Sequence, residues 1–357
     1  MSLLMIIKKT LSLAASIISL FILQLYFLID SNSEENNSKY YSNDSGILSL
    51  MYHRFNENKY PSTNIQMDVF SEQMQVIKNN GYEFYNPKYF VKEFSKSKQE
   101  KKILITIDDG FRSFYDEAWP YLKKNKIPFI LFVSTEPVGK FGYMNWDEIR
   151  EIDQSEFGYI GHHSHTHEYL IDMSEEDFIN DIETATKIFK EKLGYSPSIF
   201  SYPFGEYSLF MKNYISKNFK VAFGQHSGII DVNKDKFELP RFPINEKYGE
   251  MKRFTSLINY KPLEYKSIKP YEKKIMDNEN PPKLIIEFFE NQKNIKNINC
   301  YSNDGGVWKK SKLNFNNNII TINFDEKFLP RRGRINCSLN DNGKWRWFGT
   351  QFVIMKN

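Results

Sequence analysis

Lys102-Ile103-Leu104-Ile105-Thr106-Ile107-Asp108-Asp109-Gly110 is a β-rich apolar run that ends on two adjacent carboxylates and a glycine. An apolar strand that delivers acids to its own C-terminal end belongs to a parallel β/α fold, where reactive groups gather on the loops above the strands. A second apolar run, Phe157–Gly161, leads directly into His162-His163-Ser164-His165-Thr166-His167. Strands are also expected over Gly46–Met51, which runs into Tyr52-His53-Arg54-Phe55, and over Phe129–Ser134. Helices are expected over Phe70–Asn79 and from about Ser113 to Lys124. The clearest helix follows the histidines. Ser174 with Asp177 makes a capping-box-like start, Phe178, Ile182, Ala185, Phe189 and Leu193 recur at helical spacing, and Gly194 closes it. Strands alternating with helices make the chain an α/β protein through this region.

The chemistry starts from side-chain direction. Neighbours on an extended strand end point different ways, so Asp108 and Asp109 suit a division of labour: one ligates a metal, the other stays free to take a proton. Asp-Asp-Gly is also ordinary turn chemistry. His163 and His167 are spaced so that one turn of chain can aim both at a single ion, and three of the six histidines fall between 163 and 167. His162 and His165 read as supporting or structural. Three protein ligands leave room for water and substrate, which is the equipment of a hydrolase. Ser201-Tyr202-Pro203-Phe204-Gly205 reads as a strand end and a constrained turn, whose rigid backbone N–H groups suit a developing oxyanion. An ordinary Pro-Gly turn is the plain alternative.

The three motifs in this order resemble the polysaccharide deacetylase family (carbohydrate esterase family 4, the NodB-homology domain) over about residues 47–250. The resemblance implies a distorted (β/α)7 barrel that hydrolyses N-acetyl groups from an amino-sugar polysaccharide. It implies Asp108 as general base, Asp109, His163 and His167 as metal ligands, and the Phe204 backbone amide as oxyanion donor. Zn²⁺ is the expected ion, and Co²⁺ or Ni²⁺ also suit imidazole and carboxylate ligands. Two departures stand out. Where many members carry an arginine that steadies the base, this chain has Ser201, and Arg241 in Leu239-Pro240-Arg241-Phe242-Pro243 is the candidate replacement. The family's late Leu-x-His motif is missing. Tyr52-His53 instead matches a branch similar to poly-β-1,6-N-acetylglucosamine deacetylases, making His53 the candidate general acid, with His226 as competitor. Tyr202 joins Phe204 and Arg241 on the oxyanion and substrate side. A catalytically silent glycan-binding protein, or an amidase acting on a non-sugar amide, are the alternatives.

The remaining sequence sets the context. Lys8 and Lys9 precede the uncharged stretch Leu11–Ile29, so residues 1–30 read as a signal anchor that leaves the rest outside the cytoplasm. Cleavage there would make the protein secreted. Residues 31–46 read as a polar tether, 47–262 as the deacetylase domain, 263–282 as a linker, and 283–357 as a small all-β sandwich. Trp345 and Trp347 share one face of a strand and are assigned to the sandwich interior rather than to sugar stacking. Lys309, Lys310, Arg331, Arg332 and Arg334 read as solvated surface. Cys300 and Cys337 form either a disulfide or two buried thiols. A net charge of +4, spread without a basic block, makes nucleic acid an unlooked-for partner. The oligomeric state has no sequence signal.

Overall fold

The computed structural model describes residues 45–94, 101–290, 292 and 294–355. The expected membrane helix, and the tether up to residue 44, lie outside the described residues. Among the described residues, no helix is long and apolar enough to cross a membrane.

Six parallel strands pair in chain order: β1 (Ile47–Tyr52), β2 (Lys102–Ile107), β3 (Phe129–Val133), β4 (Gly158–His162), β5 (Ile199–Ser201) and β6 (Val221–Phe223). Both faces are covered, which is why these strands are nearly continuous apolar runs. Alternate side chains go to opposite faces. Leu104, Ile130, Phe132, Val221 and Phe223 converge inside the curl, whereas Ile103, Ile105, Ile107, Phe129 and Leu131 pack outward under the helices. The regular alternation of strand and helix ends at β6. From there the chain returns as an irregular segment: Leu239 bridges Phe223, and Phe242–Pro243 pairs with β1. The sheet is therefore a curled half-barrel whose edges are spanned by a proline-bearing crossing, because Pro240 and Pro243 cannot donate to a regular ladder.

Helix α1 (Glu175–Leu193) covers the outer face near β4 and β5. Ser174 Oγ accepts from the Asp177 backbone N–H at 3.1 Å, and Gly194 ends the helix with φ of +83°. Its buried face carries Phe178, Ile182, Ala185 and Phe189, with one carboxylate among them, Asp181.

The C-terminal region is a two-sheet sandwich. One sheet contains β7 (Arg332–Asp341) and β8 (Lys344–Ile354), and the other contains Leu284–Glu287 and Ile319–Asn323. Leu284, Ile286, Ile320, Ile335, Leu339, Phe348 and Phe352 fill the space between. Cys300 lies opposite Cys337 on paired strands, and the two form a disulfide. Residues 263–282, taken from composition as a linker, include strands Ser267–Lys269 and Lys274–Ile275, one in each sheet. Ile268 and Ile275 are buried in the sandwich core, which ties this stretch down.

Trp345 and Trp347 do share a face, but it is the outer one. Phe348 and Phe352 occupy the interior, so period-two alternation turns the odd positions of β8 toward the barrel. Trp347 stacks on Tyr260 at 5.3 Å and donates its indole N–H to Ser227 Oγ at 3.2 Å, and Trp345 is 44% exposed. Beside Trp347, Gly349 meets the 224–228 loop: a Cβ there would sit 2.2 Å from the Ser227 carbonyl oxygen. Only glycine lets the loop and strand approach this closely. A second tie is ionic. Glu206, 2% exposed, accepts from Arg331 Nε at 2.6 Å and Arg332 Nε at 2.8 Å. Barrel and sandwich belong to one compact unit.

Candidate active site

The strand ends β2, β4 and β5 bring the motifs together. Asp108 is fully buried, and its backbone N–H donates to the Tyr52 carbonyl at 2.9 Å. Asp109 then takes φ of +75°, turning the chain immediately beyond the strand. Ser164, His167 and Phe204 also have positive φ, so left-handed backbone is concentrated in these loops. Such conformations cost of order 1–3 kcal/mol each and persist where surrounding contacts impose them.

Those contacts are specific. His163 Nδ1 lies 2.7 Å from the Ser201 carbonyl, which can only accept, so Nδ1 carries a proton and, in the neutral ring, Nε2 keeps its lone pair. Ser134 Oγ donates to the His163 carbonyl at 2.6 Å. The loop beyond is clamped by Asp181, which accepts from the N–H groups of His165 at 2.7 Å and Thr166 at 3.0 Å. Asp109 Oδ1 is 3.3 Å from His163 Nε2 and 3.0 Å from His167 Nε2. Asp109 Oδ1 and His163 Nε2 are both buried and hydrogen-bonded to nothing among the described residues. A buried carboxylate oxygen 3.3 Å from an imidazole nitrogen is favourable only with a proton or a metal cation between them. Asp109, His163 and His167 have the donor types and spacing to hold one divalent ion.

Asp108 stands beside this triad, 4.0 Å from His163 Nε2. Arg241 grips it from below with two parallel bonds, Nη1 to Oδ1 at 2.6 Å and Nη2 to Oδ2 at 2.8 Å. Burial pushes the Asp108 carboxyl up, but the charges beside it, the Arg241 guanidinium foremost, outweigh burial and hold it below its ordinary value. The same guanidinium donates to Ser201 Oγ at 2.9 Å. Ser201 is thus the small residue that leaves room for an arginine arriving from Leu239–Pro243 rather than from its own position.

His53 sits on the other side, its Nε2 4.0 Å from Asp108 Oδ2. Burial lowers its pKa, and Asp109 and Asp108 oppose that without cancelling it. His226 lies on the 224–228 loop at the barrel–sandwich wall, and burial brings it down to about 4. His162 packs among Phe189, Phe200 and Phe219 and is pushed by burial to about 3, and His165 Nδ1 contacts Thr135 Oγ1 at 2.8 Å. The Phe204 ring lies edge-on to His167 at 4.8 Å and stacks on Tyr169 at 4.3 Å.

Two residues assigned to the substrate side are elsewhere. Tyr202 is fully buried, its ring against Phe200 and Tyr207 and its hydroxyl donating to the Phe237 carbonyl at 3.2 Å. The alternation Phe200–Tyr202 sends both rings into the outer core. Arg241 is fully buried beneath Asp108 and steadies it without facing the cleft. Sequence reasoning missed Asp181 and Glu206. A lone acid on the apolar stripe of α1 was a signal for Asp181. Nothing near Glu206 announces that its partners come from β7 and the residue before it.

The triad opens into a cleft of ≈ 550 Å³ lined by His53, Asp109, His167 and Phe204 on the barrel side and by Trp308, Arg332 and Arg334 on the sandwich side. A volume of this order holds more than a single small group.

The family model for polysaccharide deacetylase matches residues 95–219. The chain carries a polysaccharide deacetylase domain. That makes it a hydrolase. It is 24% identical over 247 residues to the poly-β-1,6-N-acetyl-D-glucosamine N-deacetylase of Staphylococcus aureus (strain MSSA476), a match covering 61% of this chain and 85% of that protein. YxkH of Bacillus subtilis (strain 168), whose name marks it only as a candidate polysaccharide deacetylase, is 27% identical over 161 residues; the match covers 44% of this chain and 57% of that protein. Among solved structures, IcaB from Ammonifex degensii superposes with a TM-score of 0.53 at 24% identity, over 60% of this chain and 97% of that one. The Streptococcus pyogenes deacetylase PplD in complex with acetate gives 0.52 at 23% identity, over 56% of this chain and 93% of that one. These structural likenesses speak to the fold of the deacetylase domain.

Proposed function

We propose that this protein removes N-acetyl groups from an N-acetylglucosamine-containing polysaccharide, using one divalent ion, Zn²⁺ by preference, held by Asp109, His163 and His167. The observation that carries this is the meeting of two unpartnered buried polar atoms, Asp109 Oδ1 and His163 Nε2, beside a carboxylate held ionised by Arg241. When bound, such an ion lowers the pKa of water and polarises a carbonyl oxygen. Asp108 accepts the proton of the attacking water. Arg241 keeps that carboxylate charged and fixed in its plane, through a bidentate bond that only a guanidinium supplies. The Phe204 N–H is assigned to the developing oxyanion, and the left-handed φ of Phe204 supports a backbone group held in an imposed direction. His53 protonates the leaving amine. Its burial works against the charged imidazole, and the two aspartates work for it.

A silent glycan-binding protein is less well supported: its motives were the altered arginine and acid positions, and Arg241 grips Asp108 while His53 lies 4.0 Å from the same carboxylate. The staphylococcal relative supports an N-acetylglucosamine polymer as substrate. The pattern of Lys8, Lys9 and Leu11–Ile29 supports export and membrane attachment. Acetate release from a panel of N-acetylated oligosaccharides and simple non-sugar acetamides, with and without chelator, tests the assignment. Chelator-sensitive release from the sugars alone is expected. Release from the acetamides alone, or from nothing, refutes it.

A further inference from the structure

We infer that the sandwich wall reads an acidic substituent on the glycan, so that the preferred substrate is an anionic N-acetylated polysaccharide bearing carboxylate or phosphate groups. This rests on the deacetylase assignment and extends it to substrate class. On β7, Arg332, Arg334 and Asn336 share the outer face because alternate residues do, while Ile335, Cys337 and Leu339 go inside. That face is a wall of the cleft containing the triad. Arg332 is engaged by Glu206, and its Cζ lies 5.5 Å over the Phe204 ring. Arg334 has a neutral partner, Gln351 Oε1, at 3.3 Å, and Arg253 on the barrel side donates to the Tyr248 carbonyl. Among the described residues, neither Arg253 nor Arg334 has a carboxylate within ion-pair distance. Asp109 is the acid lining this cleft, and it belongs to the triad.

Two guanidiniums with no carboxylate in ion-pair contact therefore line the cleft. A neutral glycan can accept from their N–H groups but leaves their charge unmatched. Guanidinium matches the paired oxygens of a carboxylate or phosphate, and Trp308, 45% exposed in the same wall, offers a face for a sugar ring. The charge also fits the direction of the reaction. Deacetylation turns a neutral acetamide into an ammonium, which a positive wall disfavours, so product is released more readily than substrate.

Calorimetric binding to the metal-free protein tests this apart from turnover. The probes are chitohexaose, which is neutral, a hyaluronan hexasaccharide, which carries carboxylates, and an oligomer of N-acetylglucosamine joined by phosphodiesters. At least one acidic probe is expected to bind about tenfold more tightly than chitohexaose. The advantage should shrink as salt is raised, and the ratio should fall to about one in the double variant Arg253→Gln, Arg334→Gln. Equal binding of chitohexaose and both acidic probes by the unaltered protein overturns the inference, as does a preference that survives in a folded double variant. Absence of acetate from all three probes with metal-loaded enzyme counts against the deacetylase assignment alone, because the binding ratio is read without catalysis.

Discussion

Asp108 and Arg241 are a buried charge pair, and removing either member does different damage. Asp108→Asn keeps the volume and leaves the three metal ligands in place, so metal content should persist while acetate release falls by about 10²–10⁴, the usual contribution of a general base. Unchanged activity in a metal-replete Asp108→Asn protein rules out Asp108 as the proton acceptor. Arg241→Met leaves the carboxylate buried and unpaired, so stability should drop by about 3–5 kcal/mol in urea unfolding. A variant as stable as the parent contradicts the buried pairing. The two aspartates and two histidines were legible because residue type and strand-end position both pointed to them. The Arg241 contact was legible only through the absence of an arginine at 201. Tyr202 was misplaced because a motif names residues without saying which way each ring points. Period-two alternation from Phe200 sends it into the core.

At the scale of elements, the histidine loop depends on α1 through one side chain. Asp181 satisfies two backbone N–H groups of a loop whose Ser164 and His167 both adopt left-handed φ. Asp181→Asn keeps the shape but can offer only one acceptor oxygen. Support of this kind typically governs metal affinity by 10–100-fold, so Asp181→Asn should raise the metal dissociation constant by about that factor with the helix intact by circular dichroism. An unchanged constant would show that the loop holds itself. The helix was readable from its cap, stripe and terminal glycine. The closing of the half-barrel was not, because segment 236–243 has no periodicity and its pairing with β1 is set by distant partners.

For the whole molecule, the sandwich and barrel meet through charge as well as packing. Glu238 illustrates the pH consequence. Burial would raise its carboxyl, but Lys273 and Lys212 outweigh burial and hold it below its ordinary value, with Lys212 Nζ 3.0 Å away. A carboxylate depressed in the folded state adds stability that is fully present above its unfolded pKa and is lost as pH falls through the folded value. Glu238→Gln should therefore be less stable than the parent near neutral pH, by about 1–3 kcal/mol, with the gap closing on acidification below about pH 4. A gap that is constant with pH would mean the charge is not what matters. This docking was invisible in the sequence because Trp347, Gly349 and Arg332 acquire their meaning only when the 224–228 loop and Glu206 arrive against them. The proposed chemistry stands on Asp109, His163 and His167 holding a single ion. The decisive experiment is metal content per chain, measured after zinc loading and dialysis for the parent and for Asp109→Ala. One bound zinc in the parent and essentially none in the variant is predicted, and equal zinc in both would contradict it.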